Sequence, residues 1–493
     1  VGQALKLRIL EDLLRSRVCA QESALCVKVV FDCLYGTGTT PKHRIAGIRL
    51  CKWCFESSSD ASLNVTAPLL SSGVQKTLVG LIGNSADQES RRLREYCYSA
   101  LSVLAPRKPV LFSGNLELPL MCFEGLLEND NEFRASAQEA LSGLAAAYAH
   151  SSPEILEKLM AMLLKYAESK EYRARLCSVQ MATRIFQADH VPTRYLCMML
   201  SADARQEVRF AALKGIFGFR KGAAVEGEGH GSEEDSSSGQ MADFCKLVGY
   251  LESKDRLRQL RALEMSQSFK YIGKCFQGYL KTTDGKVEKN EDLKQAVTAY
   301  ASSLNFGLES DPAAAGASEL FCQAALCVGD LAEVVPEMVG PSFSDDASIR
   351  RLKSWLSNTN EDLRTAAARV LKLTVKFIPA ESMEQLVEYL LERAVDDSAS
   401  KQTAKHGSIS ALGSIVIGTT AESSCPRERI VKCILSTLKN ESKKSPMPVM
   451  IAACNAVGGM GKAGRLVEEE SLNGVTALLQ ITKTKSEEAN KLI

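Results

Sequence analysis

Residues 189–209 read DHVPTRYLCMMLSADARQEVR. A histidine beside an aspartate, a proline, an apolar cluster and a basic run stand close together, so the stretch reads either as a chemical site or as the joint between two helices. Recurrence decides between the two. Asp203 is followed five residues on by Val208, then by Arg209, Ala212 and Ile216, a layout D-x4-V-R-x2-A-x3-I. Glu128, Phe133, Arg134, Ala137 and Leu141 repeat it, and so do Asn358, Leu363, Arg364, Ala367 and Leu371. Weaker copies centre on Arg44, Arg94, Arg173, Lys405 and Met450. Arg94, Arg134, Arg173 and Arg209 are 40, 39 and 36 residues apart, and Arg364 and Lys405 are 41 apart. A fixed period in this range is the signature of a repeat array.

Each copy obeys one physical rule. A short polar or acidic residue where a helix begins satisfies orphan N–H groups and the dipole. Apolar residues then recur at helical spacing, as in Phe133, Ala137, Leu141 and Leu144. A second amphipathic stretch lies upstream of each, such as Leu156, Leu159, Leu163 and Tyr166, or Met383, Leu386, Leu390 and Ala394. Two helices of this size cannot bury their stripes alone, so the units must stack. The expected fold is all-α, a HEAT/ARM-type α-solenoid of stacked antiparallel helix pairs with roughly nine or ten units. In the opening stretch, Asp189 and Pro192 flank the start of an upstream helix. Asp203 is expected to open the downstream one, with Gln206 three residues on as in a capping box. The stretch is a joint.

The array is expected to run over 1–220 and to resume over 244–493. Between them, 221–243 is rich in Gly, Ser and acid and reads as a disordered insertion that buries too little surface to offset its ordering entropy. With 493 residues, 45% apolar and 24% charged, the composition is that of a globular chain too long for one core. Sixty basic against fifty-nine acidic side chains give a net charge of +1, so no general attraction for nucleic acid or anionic membrane arises. No apolar run reaches the length of a membrane span. Sixteen cysteines, mostly inside apolar runs, point to a reducing compartment, cytoplasmic or nuclear. The chain begins at Val1 and stops within a helical pattern, KSEEANKLI, as an interior fragment of a longer protein would.

Every candidate for chemistry has a packing role to answer to. Cys51 and Cys54 in C-K-W-C have the spacing of a redox pair, but counted from Arg44 they fall on the apolar positions of a repeat, with no βαβ pattern around them. Gly459, Gly461 and Gly464 in GGMGKAG spell G-x-G-x-x-G, yet they follow a helix instead of a strand and are expected to end it. His190 belongs to a helix entrance, and His406 follows a repeat's cationic position beside Gly407. His43, His150 and His230 share no ligand spacing, and Glu233, Glu234 and Asp235 sit in the acidic insertion. The sequence therefore assigns no catalytic, metal-ligating or cofactor-binding residue, and no cofactor. It leaves partner-binding residues undefined.

Wording beyond the repeat narrows the class. Residues 170–216, KEYRARLCSVQMATRIFQADHVPTRYLCMMLSADARQEVRFAALKGI, resemble the large eukaryotic HEAT-repeat proteasome adaptor and scaffold proteins. KHGSISALGSIV at 405–416 and ACNAVGGMGKAG at 453–464 are similar to later segments of that family, in the same order. The resemblance implies a non-enzymatic scaffold that binds the 26S proteasome through its core and regulatory particles and influences its assembly, quality control or localisation. Other protein partners are expected, whereas the charge balance and the apolar run lengths predict neither nucleic-acid binding nor membrane insertion. Against it stand another giant HEAT platform, such as a nuclear transport receptor or a translation regulator, and an enzyme using the C-K-W-C thiols or the glycine run.

Overall fold

A computed structural model describes residues 2–14, 16–81, 88–114, 116–149, 151–218, 241–255, 257–282, 290–311, 313–396, 398, 401–419, 425–440 and 447–490. The acidic stretch therefore lies outside the described residues from 219 to 240, together with His150, His230, Glu233, Glu234 and Asp235. Every regular element among the described residues is helical. They form two compact units, Val1–Ala242 and Asp243–Ile493.

In the first unit, α1 (Gly2–Leu13) and the short α2 (Arg17–Gln21) precede five helix pairs. These are α3 (Ser23–Tyr35) with α4 (Pro41–Ser57), α5 (Asp60–Val79) with α6 (Gln88–Arg107), α7 (Glu117–Leu126) with α8 (Asn131–Tyr148), α9 (Pro153–Ala167) with α10 (Tyr172–Ile185), and α11 (Val191–Met199) with α12 (Gln206–Phe217). The second helix of each pair packs on the second helix of the next, so α4, α6, α8, α10 and α12 form one continuous row.

The second unit repeats the scheme. Its pairs are α13 (Phe244–Lys254) with α14 (Ala262–Thr282), α15 (Glu291–Leu308) with α16 (Ala317–Val334), α18 (Asp346–Leu356) with α19 (Glu361–Thr374), α20 (Ala380–Val395) with α21 (Gln402–Gly418), and α22 (Arg427–Asn440) with α23 (Met447–Lys462). A single turn, α17 (Pro336–Val339), intervenes before α18, and α24 (Glu468–Asn490) closes the unit against α22 and α23. Here α14, α16, α19, α21 and α23 make the continuous row.

The stripes read from the sequence are the core. Phe133, Ala137, Leu141 and Leu144 are at most 1% exposed, and Met383, Leu386, Leu390 and Ala394 are buried with them. Leu159, Leu163 and Tyr166 are buried as well, whereas Leu156 at the start of its helix is half-buried. Each fully buried Leu or Phe contributes about 1.5–3 kcal/mol relative to exposure, and the neighbouring pair supplies the covering surface. Among the described residues no helix is long and apolar enough to cross a membrane.

Candidate functional site: the joints of the array

The most specific polar geometry in the molecule lies where one pair meets the next. The motif's arginine folds back onto the turn before its own helix. Arg209 donates to the Asp203 carbonyl at 2.7 Å, Arg364 to that of Asn358 at 2.8 Å, and Arg134 to that of Glu128. The six-residue spacing of acid and arginine is thus the reach of a guanidinium over one helical turn to a main-chain oxygen that no helix bond satisfies. Arg194 makes the same contact with the Ala188 carbonyl at 2.6 Å, and it also binds the Gln187 and Gly215 carbonyls, tying α11 to α12.

Two local expectations are corrected by this geometry. Glu128, Asp203 and Asn358 do not cap the helices that follow them; Asp130 and Asn360 do, each accepting from two backbone N–H groups. At α12 the residue before the helix is Arg205, without a side-chain cap, and Gln206 forms no capping box with Asp203. Asp203 instead accepts from the Arg205 N–H at 2.8 Å and holds the Arg175 guanidinium with both oxygens, at 2.7 and 2.9 Å. The second correction is of register. Arg175 reaches back to the Ser169 carbonyl at 2.8 Å, so Arg175, not Arg173, is the repeat arginine of α10. Ala174, Ser178 and Ala182 at the matching positions are fully buried, whereas counting from Arg173 would have placed the exposed Gln180 in the core.

Once the register is right, the first unit contains a ladder of ion pairs running from one pair to the next. Arg94 of α6 binds Glu128 with both nitrogens at 2.9 and 3.1 Å, Arg134 of α8 lies 3.4 Å from Glu171, and Arg175 of α10 binds Asp203. Arg94 lies 4.3 Å over the Phe133 ring, so it grips both the acid in the α7–α8 turn and the first turn of α8. In the second unit a histidine takes the acid's place. The buried Arg364 donates through Nε to Nδ1 of the buried His406 at 3.0 Å, joining α19 to α21. Burial first, and then the Arg364 charge, pushes the His406 imidazole down from its ordinary value.

Glycines set the spacing of α21. A Cβ on Gly407 would lie 1.8 Å from the Leu356 carbonyl oxygen, and one on Gly418 would lie 2.0 Å from that of Lys372. On the opposite side, a Cβ on Gly413 would meet that of Ala456 at 2.6 Å. In α23, Gly458, Gly459 and Gly461 are inside the helix and do not end it; the break falls at Gly464, whose φ is +64°. The G-x-G-x-x-G spacing therefore has neither the strand nor the helix start that a dinucleotide needs.

The remaining candidates pack. Cys51 and Cys54 are both fully buried on α4, and burial pushes the Cys51 thiol well up, which lowers its reactivity. His43 shares a hydrogen bond of 2.7 Å with the Thr40 hydroxyl. His190 hydrogen-bonds the Thr193 hydroxyl at 2.8 Å and stacks on Phe186 at 4.1 Å; burial lowers its basicity. Cys51, Cys54, His43, His190 and His406 are on separate structural duties, and the structure brings none of them into a shared site. Among the described residues no group of three or more His, Cys, Asp or Glu side chains stands in metal-holding geometry.

Two family models match the chain in order: "Proteasome component ECM29, N-terminal" over residues 1–199 and "ECM29, ARM-like repeats" over residues 259–460. The chain belongs to the ECM29 family. Along its whole length it is 24% identical to the human "Proteasome adapter and scaffold protein ECM29", of which it covers 29%. It is 23% identical to the Drosophila melanogaster "Proteasome-associated protein ECM29 homolog", over 43% of this chain and 12% of that protein. The chain thus spans less than a third of the curated ECM29 relatives it matches. Among solved structures it is similar to importin beta, with a TM-score of 0.40 and 13% identity over 92% of this chain and 55% of that one. In this chain the three stretches singled out by wording, 170–216, 405–416 and 453–464, hold the joint around Arg175 and Asp203, the glycine-spaced α21 and the end of α23.

Proposed function

We propose that this chain is a stretch of a non-enzymatic adaptor and scaffold that binds the 26S proteasome. It contacts the core and regulatory particles, and it influences their assembly, quality control or localisation in cytoplasm and nucleus. The observation that carries the reading is the match along the entire chain to a protein named a proteasome adapter and scaffold. The geometry is in keeping with it. Buried charged groups such as Arg94, Arg364 and Asp203 are spent on joints between repeats, and solenoids of this kind bind through extended faces whose flexibility is spread over many joints.

Affinity purification of the tagged full-length protein from gently lysed cells, followed by mass spectrometry, tests the reading. Core and regulatory proteasome subunits are expected in stoichiometric amounts, and their recovery with residues 1–493 alone places a docking surface on these repeats. Recovery of transport factors or ribosomes without proteasomes overturns it. Imaging of the tagged protein tests the compartment.

A further inference from the structure

The second thiol of C-K-W-C does meet another cysteine, though not the one its spacing names. Cys54 on α4 stands beside Cys26 on α3. Cys26 Sγ in turn stands 3.1 Å from Cys19 Sγ on α2 and donates to the Cys19 carbonyl at 3.3 Å. The three thiols pass inward from the surface, with residue exposures of 9%, 4% and 0% for Cys19, Cys26 and Cys54. The corner that carries Cys19 is fixed in place. The Trp53 indole donates to the Ser16 carbonyl at 3.1 Å, and the Ser58 hydroxyl to that of Ala20 at 2.7 Å. A disulfide bond is about 2.0 Å long, so the two outer sulfurs need approach by only about 1 Å to form one.

We propose that Cys19 and Cys26 are an oxidisable pair whose disulfide, formed with a peroxide as oxidant, locks the α2–α3 corner. Cys19, the least buried, attacks the peroxide O–O bond; its sulfur becomes a sulfenic acid and one water leaves. Cys26 then attacks that sulfur, the S–S bond forms, and the hydroxyl departs as a second water with the proton of the Cys26 thiol. Two thiols are oxidised by two electrons and one peroxide is reduced to two waters. Burial pushes the Cys19 thiol up to about 12, so its thiolate fraction is small and its oxidation slow. Cys54, fully buried behind Cys26, closes the inner side of the pair to solvent.

The test uses the folded chain. After hydrogen peroxide treatment and alkylation, tryptic cleavage at Arg17 and Lys28 releases Val18–Lys28 with both cysteines, so the bridge appears as the loss of two hydrogens in one peptide. That species is expected, to disappear on reduction and to be absent in Cys19→Ser, while Cys51→Ala retains it. Irreversible oxidation of Cys19 without a bridge, a Cys26–Cys54 bridge in its place, or oxidation of other cysteines while this peptide stays reduced would each overturn the proposal. Should Cys19→Ser fail to reach the parent's helicity, the parent chain alone decides: a bridged Val18–Lys28 peptide upholds the pairing, and a reduced one overturns it.

Discussion

An arginine in this molecule does two jobs at once: it satisfies the turn behind it and grips the next repeat ahead of it. The second job makes its acid partner costly to remove. Glu128→Ala removes the carboxylate that both terminal nitrogens of Arg94 hold, and the Arg94 side chain is only 9% exposed with an Nε that already lacks a partner. A loss of roughly 1–2 kcal/mol is expected, below the range for a fully buried pair because Glu128 is 26% exposed. The denaturant midpoint reads it, and Lys158→Ala, on an exposed pair, leaves that midpoint in place. The Arg364–His406 contact carries a pH dependence. Folding holds the imidazole's proton affinity below the ordinary value near 6.5, so below that pH the unfolded chain binds the extra proton and the folded one resists it. Stability is therefore whole above about pH 6.5 and falls as the pH drops through it. His406→Gln keeps an acceptor but removes the titration. The difference in melting temperature between pH 7.5 and pH 5.5 is expected to be smaller in that variant; an equal difference places the acid sensitivity elsewhere.

At the scale of the helix, register and spacing are the quantities that matter. Because Arg175 is the repeat arginine of α10, Arg175→Ala removes the guanidinium that both oxygens of the buried Asp203 hold and costs roughly 2–3 kcal/mol. Arg173→Ala, whose guanidinium donates to the Asn131 carbonyl at 3.2 Å and to the Tyr172 hydroxyl at 3.3 Å and holds no acid, costs well under half of that. Thermal melts of the two variants side by side decide the register, and the reverse ranking restores Arg173. Helix α21 makes the complementary case for spacing. Its glycines let α18, α19 and α23 approach to contacts that no Cβ admits, and the obstructing atoms at Gly407 and Gly418 are main-chain oxygens that cannot rotate away. Gly407→Ala is expected to cost roughly 3 kcal/mol through overpacking, against about 1 kcal/mol gained from helix propensity. Gly458→Ala, where nothing lies within 4 Å, is expected to leave the melt unchanged or raise it slightly.

At the scale of the molecule, each unit is a stack in which a pair touches chiefly its neighbours, so segments outside the stripes are dispensable for folding. Deleting 221–240, which carries no large apolar residue beyond Val225, is expected to leave the melting profile unchanged; a clear fall shows that the stretch supplies core. The helices, their pairing and the buried stripes were legible in the sequence because helix formation and amphipathic burial are periodic and local, and Phe133, Ala137, Leu141 and Leu144 state that period in four residues. The wording of three short runs was enough to indicate the family. The joints were not legible. Arg173 and Arg175 are two residues apart among small and polar neighbours, Ala174 and Ser178, so periodicity does not separate them. Only the position of Asp203, twenty-eight residues on, does. Asp203 itself reads as a helix cap until its distant partner is seen, and Cys54 reads as the mate of Cys51 until Cys26 is found against it. The sequence alone determined the element types, the repeat and the stripe each helix buries, because these follow from the nearest few residues. Tertiary structure decided which charge meets which, where helices touch backbone to backbone, and which thiols are neighbours, because those contacts join residues that only the stacking of one pair on the next brings together.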